Sequence, residues 1–75
     1  MPKLPVVSGP RVISALKRAG FVVLRQKGSH VSLEKRTGDK VFKTVVPNYS
    51  EIAKGTLSDI LKQSGLTLEE FLEHL

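Results

Sequence analysis

Two glycine-centred turns divide the middle of the chain into three short segments, and this division constrains the fold more than any other feature. Residues 21–26 are rich in β-branched and aromatic side chains, which favour a strand. The turns are Lys27-Gly28-Ser29 and Thr37-Gly38-Asp39, where glycine tolerates the positive φ that two-residue hairpin loops need. The third segment, residues 40–46, ends at Pro47, which cannot donate to a central ladder. Connections this short predict a three-stranded antiparallel meander.

A helix is predicted on the N-terminal side of this meander. Ser8 is a good N-cap residue, and Pro10 stands in the first turn, where its missing N–H costs nothing. Val12 and Leu16 recur at helical spacing, and Gly20 is a typical stop. We therefore expect a helix over residues 9–19.

Two further helices are predicted after the strands. Residues 48–53 indicate a loop, and Thr56 opens a second main helix that stops at Gly65. The capping-box pattern of residues 67–70 then opens a short acidic helix of about residues 67–75. The predicted class is α+β, in the order α-β-β-β-α plus this short helix. We expect one domain over residues 1–75 with its core at about 8–66, and both main helices on one face of the three-stranded sheet.

Charge is placed unevenly along the chain. There are 12 Lys and Arg residues against 7 Asp and Glu residues, and all the basic residues precede residue 63. The last 13 residues contribute only three acidic ones, at positions 69, 70 and 73. A basic body of this density suits a polyanion such as nucleic acid, although a charged surface also serves solubility alone.

Composition argues against several other classes of protein, namely disulfide-rich, thiolate-metal, membrane and secreted proteins. The chain has no cysteine, which removes disulfide frameworks and thiolate metal sites. The longest run of large apolar residues is Phe21–Leu24, far below the ~20 residues that span a bilayer. The N-terminus has two early prolines and no apolar stretch of signal-peptide length. We expect a cytoplasmic protein with no membrane contact.

His30 is the leading candidate for proton transfer, because histidine side chains titrate near neutral pH. It follows Gly28-Ser29 at the point where the first hairpin turn enters the second strand. On RNA, such a base can remove the proton of a ribose 2′-hydroxyl, and this chemistry needs no metal. The alternative is a surface histidine in a turn. His74, the other histidine, lies next to the C-terminus, where a solvated chain end is expected.

Two groups of residues are candidates for holding phosphates. Arg25 and Lys27 flank the first turn, and the amides and hydroxyl of Gly28 and Ser29 are suited to a phosphate oxygen. Ordinary turn chemistry is the alternative at Ser29.

The second group is Lys54-Gly55-Thr56, at the start of the second main helix, where free amides and the helix dipole favour an anion. The alternative there is an N-cap by Thr56 with a solvated lysine. No phosphate-binding loop or dinucleotide motif occurs, and the acidic residues and histidines show no metal-ligand spacing, so neither cofactor nor metal is expected.

In the order and spacing of several short motifs, the chain resembles the HicA-type, or YcfA-like, toxins of prokaryotic toxin–antitoxin pairs. The motifs are LKRAGF (16–21), RQKGSH (25–30), VVP (45–47), EIAKGTL (51–57) and ILKQ (60–63). Each motif alone is common, but their order and spacing are specific, and the resemblance covers roughly residues 8–73.

The resemblance implies a double-stranded-RNA-binding-like fold and a metal-independent ribonuclease that acts on mRNA. It implies that His30, the matching histidine, is catalytic, and that a HicB-like antitoxin inhibits the toxin by covering it. Two alternatives stay open: a non-catalytic RNA-binding module of the same fold, and a protein-interaction module.

Overall fold

The computed structural model describes residues 3–75 and confirms the predicted class and order of elements. The elements are α1 (Gly9–Arg18), β1 (Val22–Lys27), β2 (His30–Thr37), β3 (Lys40–Pro47), α2 (Lys54–Ser64) and α3 (Leu68–His74). None of these helices is long and apolar enough to cross a membrane.

The three strands form the predicted antiparallel meander in the order β1-β2-β3. Gly28 and Gly38 open the two turns with φ of 60° and 59°, which explains why glycine occupies both positions. The pairing of β1 with β2 shifts at Leu24, because Val23 pairs with Leu33 whereas Arg25 pairs with Ser32. This β-bulge, which the sequence pattern did not predict, leaves Leu24 as an extra residue on the edge strand.

Local capping fixes the helix ends. The Ser8 hydroxyl accepts a hydrogen bond from the Arg11 amide at 3.2 Å, as expected for an N-cap. Gly65 ends α2 in the left-handed region with φ 72°, and Thr67 forms a complete capping box with Glu70 at the start of α3.

The predicted start of α2 was wrong. The helix begins at Lys54 rather than Thr56. Its N-cap residue is Ala53, whose side chain makes no capping hydrogen bond. Thr56 is therefore the third residue of the helix, and the alternative that made it the N-cap is also wrong. Ile52 explains the earlier start, because it is 2% exposed and its amide donates to the Val7 carbonyl at 2.8 Å. This anchoring fixes the chain two residues before the helix begins.

The core lies between one face of the sheet and the helices. Val31 and Leu33 of β2 and Val46 of β3 supply the sheet side, and all three are buried. The fully buried Phe71 of α3 joins the same core. The short C-terminal helix is therefore packed into the fold.

The opposite face of the sheet carries His30, Ser32 and Glu34 on β2, and no helix within residues 3–75 covers it. Because directly paired residues point to the same face, β3 adds Lys43 and Val45 to it. Glu34 is nevertheless only 8% exposed, and it pairs with Arg36 at 3.5 Å and with Lys43 at 3.9 Å. We call this surface the open face.

Candidate functional site

His30 is the first residue of β2 and is exposed on the open face. It lies directly opposite Lys27 on β1 and opposite Pro47 on β3. The turn before it is held by Gln26, whose side-chain amide donates to the Gly28 carbonyl at 3.0 Å. The imidazole is therefore placed by the ends of all three strands and is accessible to a ligand.

The chain that follows β3 passes beside this histidine. The Asn48 amide donates to the Ser29 carbonyl at 2.6 Å, which ties the segment to the first turn. The next residue, Tyr49, presents its ring edge-on to His30, with ring centroids 6.4 Å apart and an interplanar angle of 71°. Tyr49 remains half exposed. The two rings thus form an accessible aromatic corner, in a geometry that aromatic pairs favour.

The first turn of α1 holds the Tyr49 segment in place through a backbone hydrogen bond. The Gly9 amide donates to the Tyr49 carbonyl at 2.7 Å, and Gly9 is buried. A Cβ at Gly9 would contact the Pro47 carbonyl and would lie 2.8 Å from the Asn48 Cα. Only glycine lets the backbones approach this closely.

The same segment leads into α2. After Tyr49 the chain binds back to Val7 through Ile52 and begins the helix at Lys54. The N-termini of α1 and α2 and the His30 turn therefore lie at one end of the molecule. We call this region the histidine end, defined by residues 7–9, 27–30 and 47–56.

The start of α2 offers free donors at this end. The first amides of a helix have no partner within it, and Ala53 supplies no capping side chain. Lys54 and Gly55 are exposed, and Thr56 is half-buried. A Cβ at Gly55 would meet nothing within 4 Å, so the backbone is open to an approaching group. This arrangement is suited to an anion.

Arg25 and Lys27, which the sequence predicts to bind phosphates, lie on β1 beside His30. Both are exposed, and neither forms an ion pair with any of residues 3–75. Arg25 lies opposite Ser32, which is two residues beyond His30 on the same face. The structure thus brings Arg25, Lys27, Gly28, Ser29 and His30 together on one hairpin. Lys54, Gly55 and Thr56 lie at the same end of the molecule but on a separate element.

Gly9, Asn48 and Tyr49 also belong to this site, and the sequence analysis does not predict them. A signal for the last two was available, because the two-residue loop at Gly38-Asp39 pairs Thr37 with Lys40. Counting along both strands from that pair places Pro47 opposite His30, so the next residues must lie beside the first turn. No local signal could have identified Gly9, whose role depends on the packing of α1.

The other histidine lies away from this site. His74 ends α3, where its carbonyl accepts a hydrogen bond from the Arg18 guanidinium, and its side chain is half-buried. Within residues 3–75, no three histidine, aspartate or glutamate side chains gather in a group that could hold a metal ion.

A comparison with protein families identifies the group to which this arrangement belongs. The family model for the HicA toxin of bacterial toxin–antitoxin systems matches residues 9–66 of the 75-residue chain. The chain belongs to the HicA toxin family. The match includes α1, the whole sheet and α2, and therefore most of the histidine end. A search of the curated proteins found no match to the chain.

Proposed function

We propose that this HicA-family protein is a ribonuclease that cleaves mRNA, with His30 as its general acid/base and no metal ion in the reaction. The observation that carries the proposal is the placement of His30. It is exposed at the end of the sheet, in edge contact with Tyr49 and directly opposite Lys27. Neither Lys27 nor the nearby Arg25 forms an ion pair within residues 3–75. The family match supports the toxin role.

The chemistry follows from the geometry of RNA. The neutral imidazole of His30 removes the proton from a ribose 2′-hydroxyl, and the resulting oxygen attacks the adjacent phosphorus. The bond from phosphorus to the 5′-oxygen breaks, and that oxygen takes a proton from water or from Lys27. The products are a 2′,3′-cyclic phosphate and a 5′-hydroxyl end, so atoms and charge balance without a cofactor.

The RNA backbone is held by charge and by free amides. Arg25 and Lys27 contact phosphates along β1, and the amides of Gly28 and Ser29 bind the phosphate nearest to His30. The start of α2, at Lys54, Gly55 and Thr56, binds a further phosphate through backbone donors and the Lys54 ammonium. Recognition of this kind depends mainly on the backbone, so binding should weaken steeply as salt rises.

A HicB-like antitoxin is the partner that we propose for regulation. His30, Tyr49 and Lys54 are all exposed, so a protein bound over the histidine end would block the imidazole and exclude RNA. The cationic side chains there favour a partner with an acidic contact surface. The protein alone should therefore arrest growth of a host cell, and co-expression of the antitoxin should relieve the arrest.

The decisive experiment compares the purified protein with His30→Ala on mRNA in the presence of EDTA. Because general acid/base catalysis contributes on the order of 10²–10⁴ in rate, we expect His30→Ala to lose about that factor while still binding RNA. His74→Ala is the matched control, since it removes the only other histidine, which is at the other end of the fold. Analysis of the cut ends should find 2′,3′-cyclic phosphate and 5′-hydroxyl groups.

Two results would contradict the proposal. Cleavage by His30→Ala at the wild-type rate would remove the histidine from the mechanism, and loss of wild-type cleavage on chelation would require a metal. Salt-sensitive RNA binding without any cleavage would instead support the non-catalytic RNA-binding module.

A further inference from the structure

A groove lies along the sheet, next to the strand segment that begins at His30. Its volume is about 570 Å³, within the range of clefts that hold small ligands. The side chains that bear on the argument are those on the open face, together with the bulge residue of β1: Leu24, Arg25, Ser32, Lys43 and Val45. Three of them form a row of directly paired residues, in which Ser32 of β2 stands between Arg25 of β1 and Val45 of β3. The small serine between larger neighbours leaves a depression in this row.

We propose that this groove is a subsite for one unpaired nucleotide of the RNA substrate, adjacent to the phosphate that is cleaved at His30. This inference rests on the proposed function and specifies its substrate as single-stranded at the site of cleavage.

Spacing is the first support for this subsite. Residues two apart on a strand are separated by about 6.6 Å and point to the same face, so Ser32 lies about that far from His30. This distance is similar to the step between neighbouring nucleotides in an extended strand. A chain that crosses His30 along β2 therefore brings its next base over the groove.

Chemistry is the second support. Val45 and Leu24 are 46% and 51% exposed, and they offer apolar surface for a base. Arg25, which forms no ion pair within residues 3–75, flanks that surface with positive charge, and Lys43 adds a second cation that pairs with Glu34 at 3.9 Å. Such a cationic rim suits the phosphates beside the base. Both the apolar floor and the cationic rim match a nucleotide better than they match a purely apolar ligand.

The accessibility of a base is the third support. A base in a duplex is stacked and paired, so its face cannot lie on the apolar surface of the groove, whereas an unpaired base can. Protein recognition of RNA sequence usually targets such unpaired bases.

The experiment compares Val45→Glu with Val41→Glu. Both valines are on β3 and on the open face, and both are 46% exposed, but only Val45 lines the groove. The two substitutions introduce the same charge at the same degree of exposure. Affinity is measured by fluorescence anisotropy with a five-nucleotide single-stranded RNA and with a duplex of the same sequence, in a His30→Ala background that prevents cleavage.

We expect Val45→Glu to weaken single-strand binding on the order of 10-fold, the scale of one lost base contact, and Val41→Glu to weaken it less than about 3-fold. Ser32→Leu, which fills the groove, should reproduce the Val45→Glu effect without adding charge. Circular dichroism confirms that each variant is folded.

Several outcomes would overturn the subsite and leave the ribonuclease proposal intact. If wild type cleaves and both valine variants bind alike, the groove holds no nucleotide. The subsite is also wrong if the duplex binds as tightly as the single strand, or if Val45→Glu abolishes antitoxin binding while RNA affinity is unchanged. If wild type does not cleave RNA but the expected affinity differences are found, the groove still binds a nucleotide, and catalysis at His30 is overturned.

Discussion

The two ends of this small protein are held together in different ways. At the histidine end, main-chain hydrogen bonds join segments far apart in sequence, as between Gly9 and Tyr49 or between Ser29 and Asn48. The opposite end consists of Arg18, Phe42 and residues 65–75, and we call it the α3 end. Side chains make the contacts there, because the Phe42 ring packs at Gly65 and the Arg18 guanidinium donates to the His74 carbonyl.

This contrast explains how a chain of 75 residues keeps an accessible surface at one end. Backbone hydrogen bonds position the histidine end without consuming its side chains, so His30, Lys27 and Lys54 stay exposed for a ligand. Packing at the α3 end supplies stability instead, with Phe71 fully buried. Substitutions at the α3 end should therefore change stability, whereas substitutions at the histidine end should change function.

The largest effect is expected from Phe71→Ala. Removal of a fully buried aromatic ring costs about 3–5 kcal/mol in unfolding free energy, a large share of the total stability of a domain this size. Leu72→Ala is the control, because Leu72 is the next residue of α3 and is 38% exposed. Urea denaturation measures both, and RNA cleavage per folded molecule should stay at the wild-type level. A loss below about 1 kcal/mol would show that the α3 end does not stabilise the fold.

An effect of intermediate size is expected when one glycine at each end is replaced by alanine, and the two variants should differ in RNA cleavage. Gly9→Ala forces a methyl group against the Pro47 and Asn48 backbone, so we expect a loss of about 1–3 kcal/mol and displacement of Tyr49 from His30. Gly65→Ala is strained by φ 72° and by the Phe42 ring, at a cost of about 1–2 kcal/mol.

The readout that distinguishes the two variants is RNA cleavage measured under conditions where both are folded. Gly9→Ala should reduce it, and Gly65→Ala should not. Equal reductions in the two variants would mean that the ends are coupled, and the contrast between them would fail.

The smallest effect concerns the capping box of α3. The Thr67 backbone N–H, and then its hydroxyl, hold the pKa of Glu70 below the usual value of 4.5. A carboxyl group whose pKa is lowered by folding stabilises the protein above its unfolded-state pKa, and this contribution is lost as pH falls through the folded value. We therefore expect unfolding free energy to fall below about pH 4.5 in wild type and to fall less in Glu70→Gln.

Glu73→Gln is the control for this pH dependence, since Glu73 is an exposed acid on the same helix and outside the capping box. Stability is measured by denaturation from pH 3 to pH 7. If Glu70→Gln and wild type lose stability in parallel, the capping box does not contribute to the acid sensitivity of the α3 end.

Much of the fold could be predicted because its signals are local. Ser8, Gly65 and Thr67 act on backbone groups within a few residues, so their capping roles are visible in the sequence and the structure confirms them. The prediction of where α2 starts was wrong because the deciding interactions are not local. Thr56 is a good capping residue, but the burial of Ile52 and its bond to Val7 set the helix start at Lys54.

The candidate site was predictable in part. His30, with Arg25 and Lys27, lies on one hairpin, and a hairpin can be located from its turn. The bulge at Leu24 depends on how two strands align, and the contact of Tyr49 with His30 depends on the register of the second hairpin. These contacts become visible only when the registers of the two hairpins are considered together.

Interactions between near neighbours set the order of elements, the meander, the caps and the hairpin that carries His30, so all of these could be read from the chain alone. Which surfaces meet depends on tertiary packing. The packing of α1 at Gly9 brings Tyr49 to His30, and the alignment of three strands places Ser32 between Arg25 and Val45. Such contacts join residues far apart in the chain, so they exist only once the core has formed and fixed the strands and helices against each other.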